Sequence, residues 1–167
     1  RLLAFASQSG KQLQRKFDWT ILQKEHTFNT AASTASYSLP ADYSRMIDDT
    51  TWDRASYWKY RGAMNPSSWQ RIKSGLVNAA QLQKGFRIFP TTRVNKFYID
   101  PTPAATEAQV FEYITDEWCT DASNAGGLED WNADTDLPLF DSLVIELDVK
   151  WRLLNQMGLP YMEKKND

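Results

Sequence analysis

The chain has 167 residues, 42% of them hydrophobic and 24% charged, enough apolar material for the core of one domain. Its mean hydropathy is -0.56, and no apolar run approaches the ~20 residues of a membrane-spanning helix, so that class is excluded. A single cysteine (Cys119) excludes an internal disulfide and a cysteine-based zinc site, and a single histidine (His26) leaves a nucleophilic triad one candidate base. The net charge of -2 argues against a general nucleic-acid binder, yet it hides an asymmetry. Residues 1–83 carry 11 basic and 6 acidic side chains, whereas residues 84–167 carry 8 and 15. Such a split suits either a solvated surface or a head-to-tail contact between copies.

The opening stretch, read with its flanking turn as segment 1–23, is helical in pattern, with Leu2, Ala6, Leu13 and Phe17 on a common face. Gly10 weakens this helix without ending it, and a helix with no cap before Arg1 predicts an upstream segment that this chain lacks. From Lys24 the texture changes, and segment 24–118 reads as β-rich. His26/Phe28 and Tyr37/Leu39 alternate as two short strands around a small-residue turn. Pro66 opens a short helix near 66–75 that Gly75 stops. The runs at 86–89, 96–100 and 109–115 read as an antiparallel meander, because their connections are too short for parallel crossovers.

Residues 119–138 form a polar connector, and 139–158 is the clearest helix. Leu143, Leu147, Trp151 and Leu154 recur as an i, i+4, i+8, i+11 stripe, with Phe140 and Val144 alongside. This stripe is expected to pack on the first helix as core, so that Trp151→Ala removes roughly 3–5 kcal/mol of stability. Gly158 and Pro160 close the helix, and 159–167 reads as the start of a tail. The sum is an α+β fold: one domain over 1–167, a helical bundle with an inserted antiparallel β-rich lobe.

Chemistry-bearing candidates each have a plain structural reading. Asp130, Asn132, Asp134 and Asp136 imitate half a calcium loop, but Thr135 stands where glycine is needed and Asp141 where the bidentate glutamate would be. Asp48, Asp49, Asp53, Asp116 and Glu117 are carboxylates from which a glycosidase pair would be drawn, with nothing selecting two of them. His26 reads as an exposed strand residue and Cys119 as a small packing residue. No catalytic residue, metal site or cofactor is expected. Arg45, Arg54, Lys59, Arg61, Arg71 and Lys73 interleave with Trp52, Tyr57, Trp58, Tyr60 and Trp69. That pattern suits single-stranded nucleic acid, a protein–protein interface, or core aromatics beside solvated charges.

Read in order, the motifs resemble the head-to-tail adaptor (connector) proteins of tailed bacteriophages. The series is FDW at 17–19, IDDTTWDR at 47–54, then Gly62, Pro66 and Trp69 in G-x-x-x-P-x-x-W. It continues with FRI at 86–88, FYIDPTP at 97–103 and FEYITDEWC at 111–119. WNADTD at 131–136 and LDVKWRLLNQMGLPY at 147–161 complete it. The resemblance implies further helical sequence before Arg1 and after Asp167. It also implies a structural virion protein at the head–tail junction, assembled in the host cytoplasm as a homo-oligomeric ring, usually of twelve copies. Portal protein and the tail nozzle or next tail component would be its partners, and genomic DNA would pass through the lumen unread. Arg54, Trp58 and Arg61 are the expected cationic and aromatic interface anchors, with Asp116, Glu117 and Asp121 of a neighbouring copy as their mates. The alternatives are a tail-associated cell-wall glycosidase and a single-strand-binding module.

Overall fold

The computed structural model describes residues 2–74, 84–91, 94–124 and 126–159. The expected helix stop at Gly75, the closing Pro160 and the tail after Leu159 lie outside the described residues. In chain order the elements are α1 (Leu2–Lys16), a 3-10 turn (Thr20–Leu22), β1 (Gln23–Asn29), β2 (Ser36–Ser38), β3 (Tyr43–Met46), β4 (Trp52–Asp53) and β5 (Trp58–Lys59). Then come α2 (Pro66–Ser74), β6 (Gly85–Thr91), β7 (Val94–Asp100), β8 (Ala108–Thr115), β9 (Cys119–Thr120), β10 (Gly127–Leu128), β11 (Leu137–Pro138) and α3 (Ser142–Gln156). Among the described residues, three α-helices with antiparallel sheets make the fold α+β. The chain divides into two compact units: Lys24–Tyr113 is continuous, and the other combines Arg1–Gln23 with Ile114–Asp167.

In the unit built from both ends of the chain, α1 turns a face of small and polar residues inward. Ala6, Ser9, Gly10 and Gln14 are buried, whereas Phe17, expected on the apolar face, is exposed. The small face is required by Trp118, which is fully buried and lies directly over Gly10. A β-carbon at position 10 would sit 2.4 Å from three carbons of the indole ring. Trp118 is held from the other side: its indole N–H donates to the Glu129 carbonyl at 2.6 Å, and Trp131 packs 5.6 Å away. The side-chain amide of Gln14 donates to the Thr115 carbonyl at 3.0 Å. Glycine to alanine inside a helix ordinarily adds about 1 kcal/mol. Here Gly10→Ala is expected to lower stability by about 1–3 kcal/mol, as overpacking does, in a chemical denaturation series.

Helix α3 begins at Ser142 rather than 139 because the Asp141 carboxylate accepts the Leu143 N–H at 2.9 Å as an N-cap. It packs on α1, but not through the leucine stripe. The inward residues are Ile145, Asp148, Val149 and Arg152, at i, i+3, i+4 and i+7. Ser9 donates its hydroxyl proton to Asp148, Arg152 Nε donates to the same carboxylate at 2.7 Å, and the Arg152 fork also reaches Gln12. Three of the four stripe positions expected in the core are outside: Leu143 and Leu147 are more than half exposed and Trp151 is 43% exposed, whereas Leu154 and Val144 are half-buried and Phe140 is buried as expected. Polar side chains take the inner positions because small, polar residues of α1 satisfy them.

The Lys24–Tyr113 unit holds two sheets. One runs β1-β8-β4-β5, with β3 also on β8, and the other runs β2-β7-β6. The β6–β7 hairpin is regular, from Gly85 opposite Asp100 to Thr91 opposite Val94. Two sequence expectations are corrected here. β1 and β2 do not form a hairpin, because β1 joins β8 and β2 pairs with β7. The expected three-stranded meander also stops at β7, since β8 leaves for the other sheet. What draws the pieces together is a hydrophobic core of five aromatics, Tyr60, Phe86, Phe97, Phe111 and Tyr113, with Ile99. Phe97 stacks on Phe86 and Phe111 at 4.9 and 5.6 Å. α2, started at Pro66 with Asn65 accepting the Ser68 N–H at 2.8 Å, contributes Trp69 and Ile72 to a smaller cluster with Met64.

Candidate interaction surface

The β4–β5 hairpin is organised by Asp53, which is 1% exposed. One carboxylate oxygen accepts the N–H groups of Ala55 (2.9 Å) and Ser56 (3.1 Å), folding the turn. The other accepts from the Lys84 ammonium at 2.6 Å, and Lys84 also bonds Glu107. Burial alone would raise the Asp53 pKa. The Lys84 bond, the Ser56 bonds and the Ala55 N–H outweigh it and hold the carboxyl at about 2. With the turn so anchored, Tyr57 adopts a left-handed backbone conformation (φ 59°) and projects outward, 85% exposed. Trp58 (53%) and Trp52 (43%) flank it. Three large aromatics standing out of one hairpin form an unusual soluble surface, since exposed apolar patches mark contact sites.

Beside the hairpin lies a cleft of about 410 Å³ whose lining includes Glu25, Asp49, Trp52, Arg54, Tyr57 and Glu112. Arg54 pairs there with Glu25 at 2.7 Å, and Lys59 pairs with Asp49 at 2.8 Å. Both pairs are solvent-exposed, a setting in which an ion pair contributes ~0–1 kcal/mol and exchanges partners readily. Arg61 is exposed, and its main chain is fixed by bonds to Lys84 and Phe86. The interleaved basic–aromatic series thus splits. Tyr60 and Trp69 are core, whereas Trp52, Tyr57 and Trp58 face outward with Arg54, Lys59 and Arg61.

The acidic candidates belong to the other unit. Asp116, Glu117 and Asp121 are half-buried, and Asp121 accepts the N–H (3.0 Å) and hydroxyl (2.7 Å) of Ser123. That unit also carries the exposed α3 residues Leu143, Leu147 and Trp151, an apolar line that sequence reasoning found but assigned to the core.

The structure places the remaining candidates as follows. Cys119 is fully buried, donates its thiol proton toward the Leu128 carbonyl (3.2 Å), and is pushed up to about 12 by burial, with Asp136 and Asp130 adding to it. His26 packs between Phe111 (5.2 Å) and Phe28 (5.7 Å). Burial lowers its pKa against the opposing charge of Asp42. It is half-buried rather than the exposed strand residue expected. Asp136 caps its own loop by accepting the N–H groups of Asn132 (2.7 Å) and Ala133 (2.9 Å). Among the described residues no group of three or more His, Cys, Asp or Glu is placed to hold a metal, and no helix is long and apolar enough to cross a membrane. Asp48, Asp49 and Asp53 lie in one unit and Asp116 and Glu117 in the other.

Exposed aromatics on a pinned hairpin are the kind of surface that protein–protein contacts use. Comparison with family models makes this specific: the SU10 adaptor protein model matches residues 1–164. The chain belongs to that family, a family of structural bacteriophage adaptors, and its place is accordingly the virion. No curated protein matches the chain.

Proposed function

We infer that the chain is the head-to-tail adaptor of a tailed phage. Copies of it form a ring, twelve by analogy with adaptors of this kind, between the portal and the tail nozzle or next tail component. The protein is assembled in the host cytoplasm and acts by binding, without turnover. The genome passes through the lumen with no sequence-specific contact. In this reading α1 and α3 belong to a helical bundle that carries Lys24–Tyr113 as an inserted lobe, and the whole of 1–167 works as one adaptor domain. The observation that carries the reading is the family match, which spans nearly the entire chain. Large aromatics left exposed on the β4–β5 hairpin support it, because aromatics and arginine are the residues enriched at interface centres. Arg54, Trp58 and Arg61 are the anchors proposed for the lobe, with Asp116, Glu117 and Asp121 as acidic mates in a neighbouring copy.

Purified portal rings mixed with the chain test this directly. The expected result is a complex whose native mass exceeds that of the portal by a ring's worth of copies. Separate elution of portal and chain at micromolar concentrations contradicts it. So does turnover of cell-wall substrate, or salt-sensitive binding of short oligonucleotides, by the purified chain.

A further inference from the structure

Inside the Lys24–Tyr113 unit, the face that the β1-β8-β4-β5 sheet turns to the core carries a polar patch whose hydrogen bonds do not close. The register sets Asp53 of β4 between Trp58 of β5 and Gln109 of β8. Tyr60, two residues beyond Trp58, donates its N–H to the Thr51 carbonyl at 3.0 Å. Alternation along the strands turns Asp53, Tyr60 and Gln109 to the same face. All three are buried, and Gln109 has no exposed surface at all. Asp53 is engaged by the turn and by Lys84, which also bonds Glu107. Three atoms beside it have no hydrogen-bond partner among the described residues: the Tyr60 hydroxyl and both the nitrogen and the oxygen of the Gln109 amide. Reversing the amide leaves the count unchanged, because both of its ends are unpartnered. Burial pushes the Tyr60 phenol above its ordinary range, with the charges of Asp53 and Glu107 adding to it, so it keeps its proton as a donor. A buried amide bonded at neither end is rare in folded proteins, since its lost hydration is not recovered.

We propose that Gln109 and Tyr60 form an internal water site beside the Asp53–Glu107 carboxylates, and that one or two water molecules bound there belong to the latch that holds the β4–β5 hairpin. The chemistry of the patch selects water. It lacks acceptors for two donor groups and a donor for one acceptor, and water accepts two hydrogen bonds and donates two. Lys84 already occupies the cation position between Asp53 and Glu107. The site joins the latch to the middle of the sheet. Asp53 folds the turn through Ala55 and Ser56, Lys84 pins Asp53 from the start of β6, and bound water ties the same carboxylates to β8, on which β1, β3 and β4 all pair. A hairpin so tied presents Tyr57 and Trp58 from a fixed base, because a closed polar network specifies one arrangement. The site lies in the interior of one unit, so it is independent of the ring reading and of whatever meets the outer surface.

Gln109→Met and Tyr60→Phe test the site, each removing the polar group at nearly unchanged size. Where water satisfies these groups, each variant loses hydrogen bonds, and its unfolding equilibrium constant is expected to rise roughly 3–10-fold in a urea titration. Where the groups are left unbonded, the same substitutions relieve them and the midpoint moves up instead. Amide exchange reads the latch: at Ala55 and Ser56 it is expected to speed up in Gln109→Met about 10-fold beyond any change in the β6–β7 hairpin. A crystal structure of the wild-type chain supplies the direct view, and it decides the matter alone if a variant does not fold. Ordered water about 2.7–3.2 Å from the Gln109 amide and the Tyr60 hydroxyl is the expected result. If the midpoint of either variant stays or rises, or if that density is absent, the site is overturned. Ordered water with unchanged exchange at Ala55 and Ser56 overturns its part in the latch.

Discussion

Trp118→Ala is expected to lower the unfolding free energy by about 3–5 kcal/mol, the cost of emptying a fully buried tryptophan site. Trp151→Ala, by contrast, is expected to lower it by less than about 1 kcal/mol, as for other exposed positions. The two residues are chemically identical, and only their surroundings differ. Trp118 has no exposed surface, lies over Gly10, packs against Trp131 and donates its indole proton to Glu129. Its removal leaves a cavity and an unmet carbonyl. Trp151 stands on the outer line of α3, with the Arg152 guanidinium 5.7 Å from its ring centroid. Paired denaturation curves read the difference, and losses of equal size would place the α3 stripe back in the core of the single chain.

Lys84→Met is expected to cost about 3–5 kcal/mol, because it strands the Asp53 carboxylate in a nearly inaccessible site. Asp53→Asn should be milder: Lys84 keeps Glu107, and the amide oxygen still accepts from the turn. The same network predicts the acid response. Asp53 titrates at about 2 in the folded chain against 3.8 in its ordinary state, which corresponds to about 2 kcal/mol. Because the folded value is depressed, this contribution is complete above about pH 4 and is lost as pH falls toward 2. Urea titrations across that window should show the loss in the wild-type chain and a smaller one in Lys84→Met. An unchanged acid slope in the variant would mean that Lys84 does not hold Asp53 in its ionised form.

Local features of this fold were readable from residues, while long-range pairings were not. The β6–β7 hairpin follows from two alternating runs and a short connection, and it forms in register. β1 and β2 carry the same kind of signal, yet each pairs with a strand far along the chain, and nothing in their own residues names that partner. The 3.6-residue period of α3 marked an apolar face correctly but not what it faces. The cue that was available was polar. Asp148 and Arg152, four residues apart, find partners in Ser9 and Gln12 of α1, a helix whose inward face is small and hydrophilic. Gly10 carried a similar hint, since a glycine inside a helical pattern marks close approach of a neighbour, here Trp118. Among the site candidates, residue type alone pointed to an aromatic and basic surface. Burial was needed to separate Trp52, Tyr57 and Trp58, which face outward, from Tyr60 and Trp69, which do not.

A reconstruction of the head–tail junction of the intact virion tests the central claim most directly. The account predicts a ring of this chain between the portal and the tail, its β4–β5 hairpins facing neighbouring copies. A junction whose ring density cannot be fitted by this chain, or a virion in which the chain lies elsewhere, would contradict it.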